Sequence, residues 1–213
     1  MTHETILYSI ENGVAKIIFN RPDAGHSINR VFAHEFMSVA SEATTNPDVR
    51  CILISATGSM YSFGGDLKFF STEMDKIEST LLELTAVLHQ GIQRVHHSGV
   101  PVIVAVNGMA AGGGFSLALF ADIVIAAQSA KFVMAYTNAG LSPDGSSSYY
   151  LPRVVGLRRA QELMLTNRTL SAEEARDWGI ATTVVIDENL MDCLLYTSPS
   201  PRDLSTSRMP SSA

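Results

Sequence analysis

Positive charge is in short supply in this chain. Its 213 residues carry 15 Lys and Arg against 21 Asp and Glu, a formal net charge of −6. General nucleic-acid binders show a basic surplus, so that class is set aside, although a local basic pocket for a phosphorylated ligand stays compatible. Cysteine is scarcer still: Cys51 and Cys193 stand alone, with neither metal-ligand nor disulfide spacing, and no metal site is expected. The opening "MTHETILYSIENG" is polar and acidic where a secretory leader is basic and then apolar, so a cytoplasmic protein is expected. No internal repeat and no linker-like stretch interrupts the text before Asp192, and the length suits one domain.

Charge is absent altogether from Val100 to Ala121. That length invites a membrane span. Pro101, Asn107, Gly108 and Gly112-Gly113-Gly114 break it, and β-branched residues crowd its first part. A buried strand, a glycine turn and a buried helix fit better, and no membrane association is expected.

What is present is core. Hydrophobic residues make up 46% and charged ones 17%, a globular composition. "VAKIIFNRP" (14–22) reads as a strand running into a loop. Phe32, Phe36, Val39, Ala40 and Ala43 recur at helical spacing over 30–44, and Asn46-Pro47 ends that helix. Strands are predicted at 49–58, 101–108 and 121–127, and helices at 79–96, 113–121 and 157–168. "SAEE" (171–174) has the capping-box pattern of a short helix that Gly179 follows. Residues 69–80 receive no assignment, and 139–153 read as a pliant loop. Strands alternating with helices predict an α/β layered domain.

From Cys193 the text changes. More than half of "CLLYTSPSPRDLSTSRMPSSA" is Ser, Thr or Pro, without helical or strand period, which reads as disordered. The segment also resembles translated read-through of a sequencing adapter, with Leu204-Ser205-Thr206 where a variable index would sit. The expected organisation is a domain over 1–192, cut short where "DENLMD" begins a helix, and a non-native disordered tail over 193–213.

Chemistry can gather at two glycine turns, Gly64-Gly65 and Gly112-Gly113-Gly114. Glycine lets backbone approach a ligand and leaves N–H groups free to point at it. Two such turns meeting in space would form an oxyanion hole for a thioester or ester carbonyl; tight packing of strand on helix explains them equally well. The spacing is not that of a dinucleotide fingerprint, no Gly-Lys-Ser/Thr exists for a phosphate loop, and "DGSSS" is not a nucleophile elbow. His96-His97 point to different faces of a helix and read as surface residues. Asp144, between Pro143 and Gly145, is turn text in its own right.

Taken together, "SATGSMYSFGGDL", "PVIVAVNGMAAGGGFSLALFADIVIAAQSAKF" and "GLSPDGSSSYYLPRVVG" resemble the enoyl-CoA hydratase/isomerase (crotonase) superfamily, over nearly all of residues 5–190. The resemblance implies the α/β crotonase (ClpP/crotonase-like) fold, a spiral of β-β-α units, here without its C-terminal helical part, and a homotrimer or hexamer. It implies an acyl-CoA substrate, with coenzyme A entering as part of that substrate and no permanently bound cofactor. The oxyanion N–H groups fall on Gly65 and Gly113; Gly64, Gly112 and Lys68 are expected beside the CoA portion.

The departures from that pattern are informative. Hydratases of the superfamily use two glutamates, and Ser116 and Tyr136 stand in their places. Hydroxyls cannot replace a carboxylate pair that delivers water and a proton across a double bond. Isomerase and dehalogenase branches place an acid where Asp144 stands. The text resembles the 1,2-epoxyphenylacetyl-CoA isomerase branch around "SAKFVMA" and the 4-chlorobenzoyl-CoA dehalogenase branch around "LRRAQELMLTNRTL". In the latter a tryptophan assists the aspartate, where Tyr136 is found, and a histidine activates water, which His89 matches. The expectation is therefore an acyl-CoA isomerase with Asp144 as a lone base of raised pKa in a partly desolvated pocket. Dehalogenase-like or hydratase chemistry, and a non-catalytic CoA-binding or scaffold protein, are the alternatives. Tyr136 is expected to hydrogen-bond Asp144 or substrate, or simply to pack, and Asp66 to fix its turn.

Overall fold

The computed structural model describes residues 3–197. In chain order its elements are β1 (Ile6–Glu11), β2 (Val14–Phe19), α1 (Arg30–Thr45), β3 (Cys51–Ala56), α2 (Leu67–Thr72), α3 (Ile77–His96), β4 (Val102–Val106), β5 (Met109–Ala111) and α4 (Gly113–Leu119). There follow β6 (Ile123–Ala127), β7 (Lys131–Val133), α5 (Ser147–Val155), α6 (Leu157–Thr166), β8 (Leu170–Ser171), α7 (Ala172–Asp177), β9 (Thr183–Val185) and α8 (Leu190–Thr197). Short 3-10 turns fill Pro22–Ala24, Met74–Lys76, Thr137–Ala139 and Asp187–Asn189.

Six strands form one sheet in the order β1-β2-β3-β4-β6-β9. Only the β1–β2 hairpin, turning at Asn12-Gly13, is antiparallel; the other pairs run parallel. Parallel strands are covered on both faces, so they read as continuous apolar runs. β4 is buried at every residue, and β3 at all but its last. A second sheet, β5-β7-β8, stands apart, with β5 and β7 parallel. Its β5 runs directly into the Gly112–Gly114 turn, and an isolated bridge from Ser62 to Ala110 draws the Gly64-Gly65 segment to the same place.

Helix α1 starts where the Asn29 side chain accepts from Phe32 N–H, and its buried stripe is the one its spacing predicts. It packs against α3. Phe32 and Phe36 are stacked and fully buried, worth roughly 1.5–3 kcal/mol each. The "SAEE" text forms a complete capping box, Ser171 and Glu174 each accepting the other's backbone N–H.

Two expectations are corrected, and one strand was not foreseen. Strand β1 escaped the sequence reading because an edge strand with one buried residue shows little hydrophobic period. The stretch 139–153 is only partly loop: Ser147 onwards is α5, which keeps Pro152 inside it. Residues 193–197 continue α8 rather than begin a disordered tail. Leu190 and Leu194 lie one helical turn apart, both buried, and α8 packs on β4 and β6. The rest of the expected tail, from residue 198, lies outside the described residues.

Candidate active site

The two glycine turns meet. A parallel bridge joins Ile28 to Gly65: Ile28 N–H donates to Gly64 O (2.7 Å) and Asp66 N–H to Ile28 O (3.0 Å). Those bonds use the groups either side of Gly65, so its own N–H faces away from the bridge. A second bridge joins Ser62 to Ala110, and Ala111 N–H donates to Ser62 O at 2.8 Å. Gly64 adopts φ +82°, and a β-carbon there would lie 2.6 Å from Ala111 O and 2.6 Å from Gly113 N. Only glycine lets the strands close to this distance. Gly113 opens α4, whose first intrahelical bond runs from Ser116 N–H to Gly112 O, so the Gly113 N–H lies outside the helix ladder.

Gly65 and Gly113 both line a cavity of about 180 Å³. Its walls are apolar: Ile28, Phe70, Leu84, Leu88 and Leu141 among them, with Tyr136 and Asp144 closing one side. Among the residues lining it, Asp144 is the one charged group. Burial pushes the Asp144 carboxyl above its ordinary value; the Tyr136 hydroxyl pulls the other way but does not overcome it. The raised pKa expected of a lone acid in a poorly solvated pocket is therefore present. Burial, then the charge of Asp144, raise the Tyr136 phenol well above its ordinary value, so it stays protonated and available as a donor.

Ser116 and Tyr136 are buried and bonded to each other at 2.7 Å. Both also reach the Asp144 main-chain carbonyl, Ser116 Oγ at 3.0 Å and Tyr136 OH at 3.3 Å. His89 comes to the same loop: its Nε2 accepts from Gly145 N–H at 3.0 Å. It does not line the cavity, although its neighbour Leu88 does.

A second, larger cleft of about 920 Å³ opens beside the first and shares Phe63, Gly65 and Leu67 with it. Arg21 and the exposed Lys68 line it, as do Asp23 and Asp66. Asp66 fixes its turn, as expected. Its Oδ1 accepts from Phe69 N–H (3.0 Å), capping α2, and its Oδ2 pairs with Arg21 (3.1 Å). Burial pushes the Asp66 carboxyl up, but the Phe69 N–H and the Arg21 guanidinium outweigh it, and the net shift is downward.

Of the eight residues that sequence reasoning brought forward, Gly64, Gly65, Gly112, Gly113, Tyr136 and Asp144 gather here, whereas Lys68 lines the second cleft and His89 meets Gly145 without lining the cavity. It missed His26 and Ser62, which brace the first turn. Ser62 Oγ donates to His26 O (2.9 Å) and accepts from Gly64 N–H (3.1 Å). The buried His26 ring accepts Arg21 N–H at Nδ1 and bonds Thr57 O at Nε2 (2.8 Å). It missed Ser147 as well, whose N–H and Oγ both donate to Asp144 O. The Ser-Ser-Ser run after Gly145, followed by an apolar helical pattern, was the available signal for that turn.

A mostly parallel sheet with a small companion sheet, together handing two glycine turns to one apolar cavity, is the crotonase architecture. The chain belongs to the enoyl-CoA hydratase/isomerase family, which matches residues 9–197. It is 38% identical over 190 residues to the 1,2-epoxyphenylacetyl-CoA isomerase of Escherichia coli K12, covering 89% of this chain and 72% of that protein. It is 34% identical over 174 residues to 4-chlorobenzoyl coenzyme A dehalogenase-2 of an Arthrobacter species, covering 81% of this chain and 63% of that one. The crystal structure of enoyl-CoA hydratase from Bacillus anthracis superposes with a TM-score of 0.84 at 28% identity, over 91% of this chain and 74% of the other. Among the described residues no helix is long and apolar enough to cross a membrane.

Proposed function

We propose that the protein shifts a double bond within an unsaturated acyl-CoA, with Asp144 as its single base. The observation that carries this reading is that Asp144 is the one carboxylate lining the cavity; the resemblance, which puts Ser116 and Tyr136 where a hydratase carries its two acids, supports it. The Asp144 carboxylate removes a proton from the α- or γ-carbon. The electron pair moves onto the thioester oxygen, and the Gly65 and Gly113 N–H groups hold the resulting enolate. Asp144 then returns the proton at the other end of the conjugated system. One base on one face suits a 1,3-proton shift; adding water needs a second group to deliver it.

The cleft holding Arg21 and Lys68 is the proposed seat of the CoA portion, with Gly112 in the lining of the adjoining cavity and Gly64 against Gly113. Apolar walls favour an uncharged acyl group, including one derived from an aromatic ring. Residues 1–197, through the end of α8, are proposed as the acyl-CoA domain, and a homotrimer or hexamer in the cytoplasm as the working form, on the resemblance.

The test supplies a 3-enoyl-CoA in heavy water to the parent and to Asp144→Asn. Conjugated product with deuterium incorporation, lost in the variant, is the expected result. Turnover that survives in Asp144→Asn overturns the assignment of the base. Parent protein that binds the thioester without exchange or conversion favours a scaffold role, and halide release from an aryl-CoA favours dehalogenase-like chemistry.

A further inference from the structure

The peptide unit joining Asp144 to Gly145 is held on both sides. Its carbonyl accepts from Ser147 N–H (2.9 Å), from Ser147 Oγ (2.7 Å) and from the mutually bonded Ser116–Tyr136 hydroxyl pair, whose oxygens lie 3.0 and 3.3 Å away. Its N–H donates to His89 Nε2 (3.0 Å). Those partners come from α3, α4, α5 and the segment after β7. Fixing a peptide plane fixes ψ of Asp144, and with it the direction in which the carboxylate leaves the chain. The plane also needs Gly145 at φ +56°, where a β-carbon would lie 2.7 Å from Ser116 Cβ.

His89 is the one imidazole in this clamp, and its chemistry there is determined by its partner. A backbone N–H can only donate, so Nε2 presents a lone pair and the imidazole is neutral with its proton on Nδ1. An Nε2 occupied in this way is not free to take a proton from water. The residue also stands behind the cavity wall rather than in it.

We propose that His89 is a positioning residue: it aims the Asp144 carboxylate at the substrate by accepting the Gly145 N–H, and handles no proton of the reaction. This rests on Asp144 being the base. It differs from the water-activating role that the resemblance to dehalogenases implies for this position. Ser116 and Tyr136 hold the opposite edge of the same peptide, so the hydroxyls that displace two acids also serve to orient the third.

The deciding experiment compares the parent, His89→Gln, His89→Leu and Asp144→Asn on a 3-enoyl-CoA, with thermal melts as the folding control. The Gln side-chain carbonyl can accept the Gly145 N–H but cannot act as a base near neutral pH. His89→Gln is expected to keep kcat within about tenfold of the parent. His89→Leu strands a buried N–H and is expected to lose about 10- to 100-fold in kcat with KM near the parent's, because walls and CoA cleft are untouched. A folded His89→Gln as inactive as Asp144→Asn overturns the proposal, since the imidazole would then be acting chemically. Parent-like kcat in His89→Leu overturns it as well. Parent-like kcat in Asp144→Asn instead removes the base on which the proposal rests. A substrate-free measurement tests the contact itself, including where His89→Leu fails to fold. In ¹⁵N-histidine-labelled protein, the His89 signal is expected to be the neutral tautomer with Nε2 unprotonated, and an Nε2–H signal overturns the contact.

Discussion

The Ser116 and Tyr136 hydroxyls lie 2.7 Å apart, and both sit within reach of one acceptor, the Asp144 carbonyl. Each hydroxyl has one proton. They therefore form a chain in which one donates to the other and the other donates to the carbonyl. Tyr136→Phe breaks that chain at a buried position and is expected to cost about 1 kcal/mol of stability. The Tyr136 hydroxyl also opposes the rise of the Asp144 carboxyl. Its loss is expected to move the acid limb of the pH–rate profile to higher pH. Denaturant melts and a pH profile of kcat check the two effects, and a limb that moves down contradicts the geometry.

Asp144→Asn is expected to lower kcat by about 10²- to 10⁴-fold, the usual contribution of a general base. Its stability effect has the opposite sign. Burial raises the folded-state pKa above the unfolded value. The associated stability is complete below the unfolded pKa and is lost as pH rises through the folded one. At neutral pH the ionised carboxylate is therefore a cost, and removing it is expected to raise Tm there but not at pH values below the ordinary aspartate range. Melts of parent and variant across that range decide it; a lower Tm for the variant at neutral pH contradicts the assignment.

Gly64→Ala is expected to fail at both packing and function. The added β-carbon meets two backbone atoms, Ala111 O and Gly113 N, in a residue already at φ +82°. The strain is about 1–3 kcal/mol. Displacing the Gly113 N–H is expected to lower kcat by on the order of 10²-fold, as loss of an oxyanion donor does. A folded variant with unchanged kcat would separate Gly113 from the reaction.

Asp66→Ala removes the α2 cap and the Arg21 pair together, at an expected cost of about 1–2 kcal/mol. The folded-state pKa of Asp66 is depressed, so its stabilisation is present above the unfolded pKa and lost as pH falls through the folded one. The Tm gap between parent and variant is expected to be widest near neutrality and to close on acidification. A gap that does not depend on pH would mean that the carboxylate charge contributes nothing there.

Much of this architecture was legible in the amino-acid sequence because its causes are local. Helical spacing marked α1 and α3, β-branched runs marked β3, β4 and β6, and the Ser171–Glu174 capping box marked α7. Glycine pairs showed where backbone could approach backbone. Strand β1 and helix α5 were not legible. One is a partly exposed edge, and the other begins in turn-forming serines and contains a proline, so neither displays a clean period.

The sequence by itself determined the residue types available for chemistry: an acid at 144, hydroxyls at 116 and 136, and glycines at 64, 65 and 112–114. It also determined that no second carboxylate stands at either hydroxyl position. Only the tertiary structure decided what those residues do to one another. Packing of α3 on α1, and of α4 on β5 and α5, brings His89, Ser116, Tyr136 and Ser147 onto a single peptide bond. The same packing withdraws His89 from the cavity while leaving Asp144 in it. Hydrogen bonds form over about 3 Å, a distance that sequence spacing does not encode for residues up to 58 positions apart, such as His89 and Ser147.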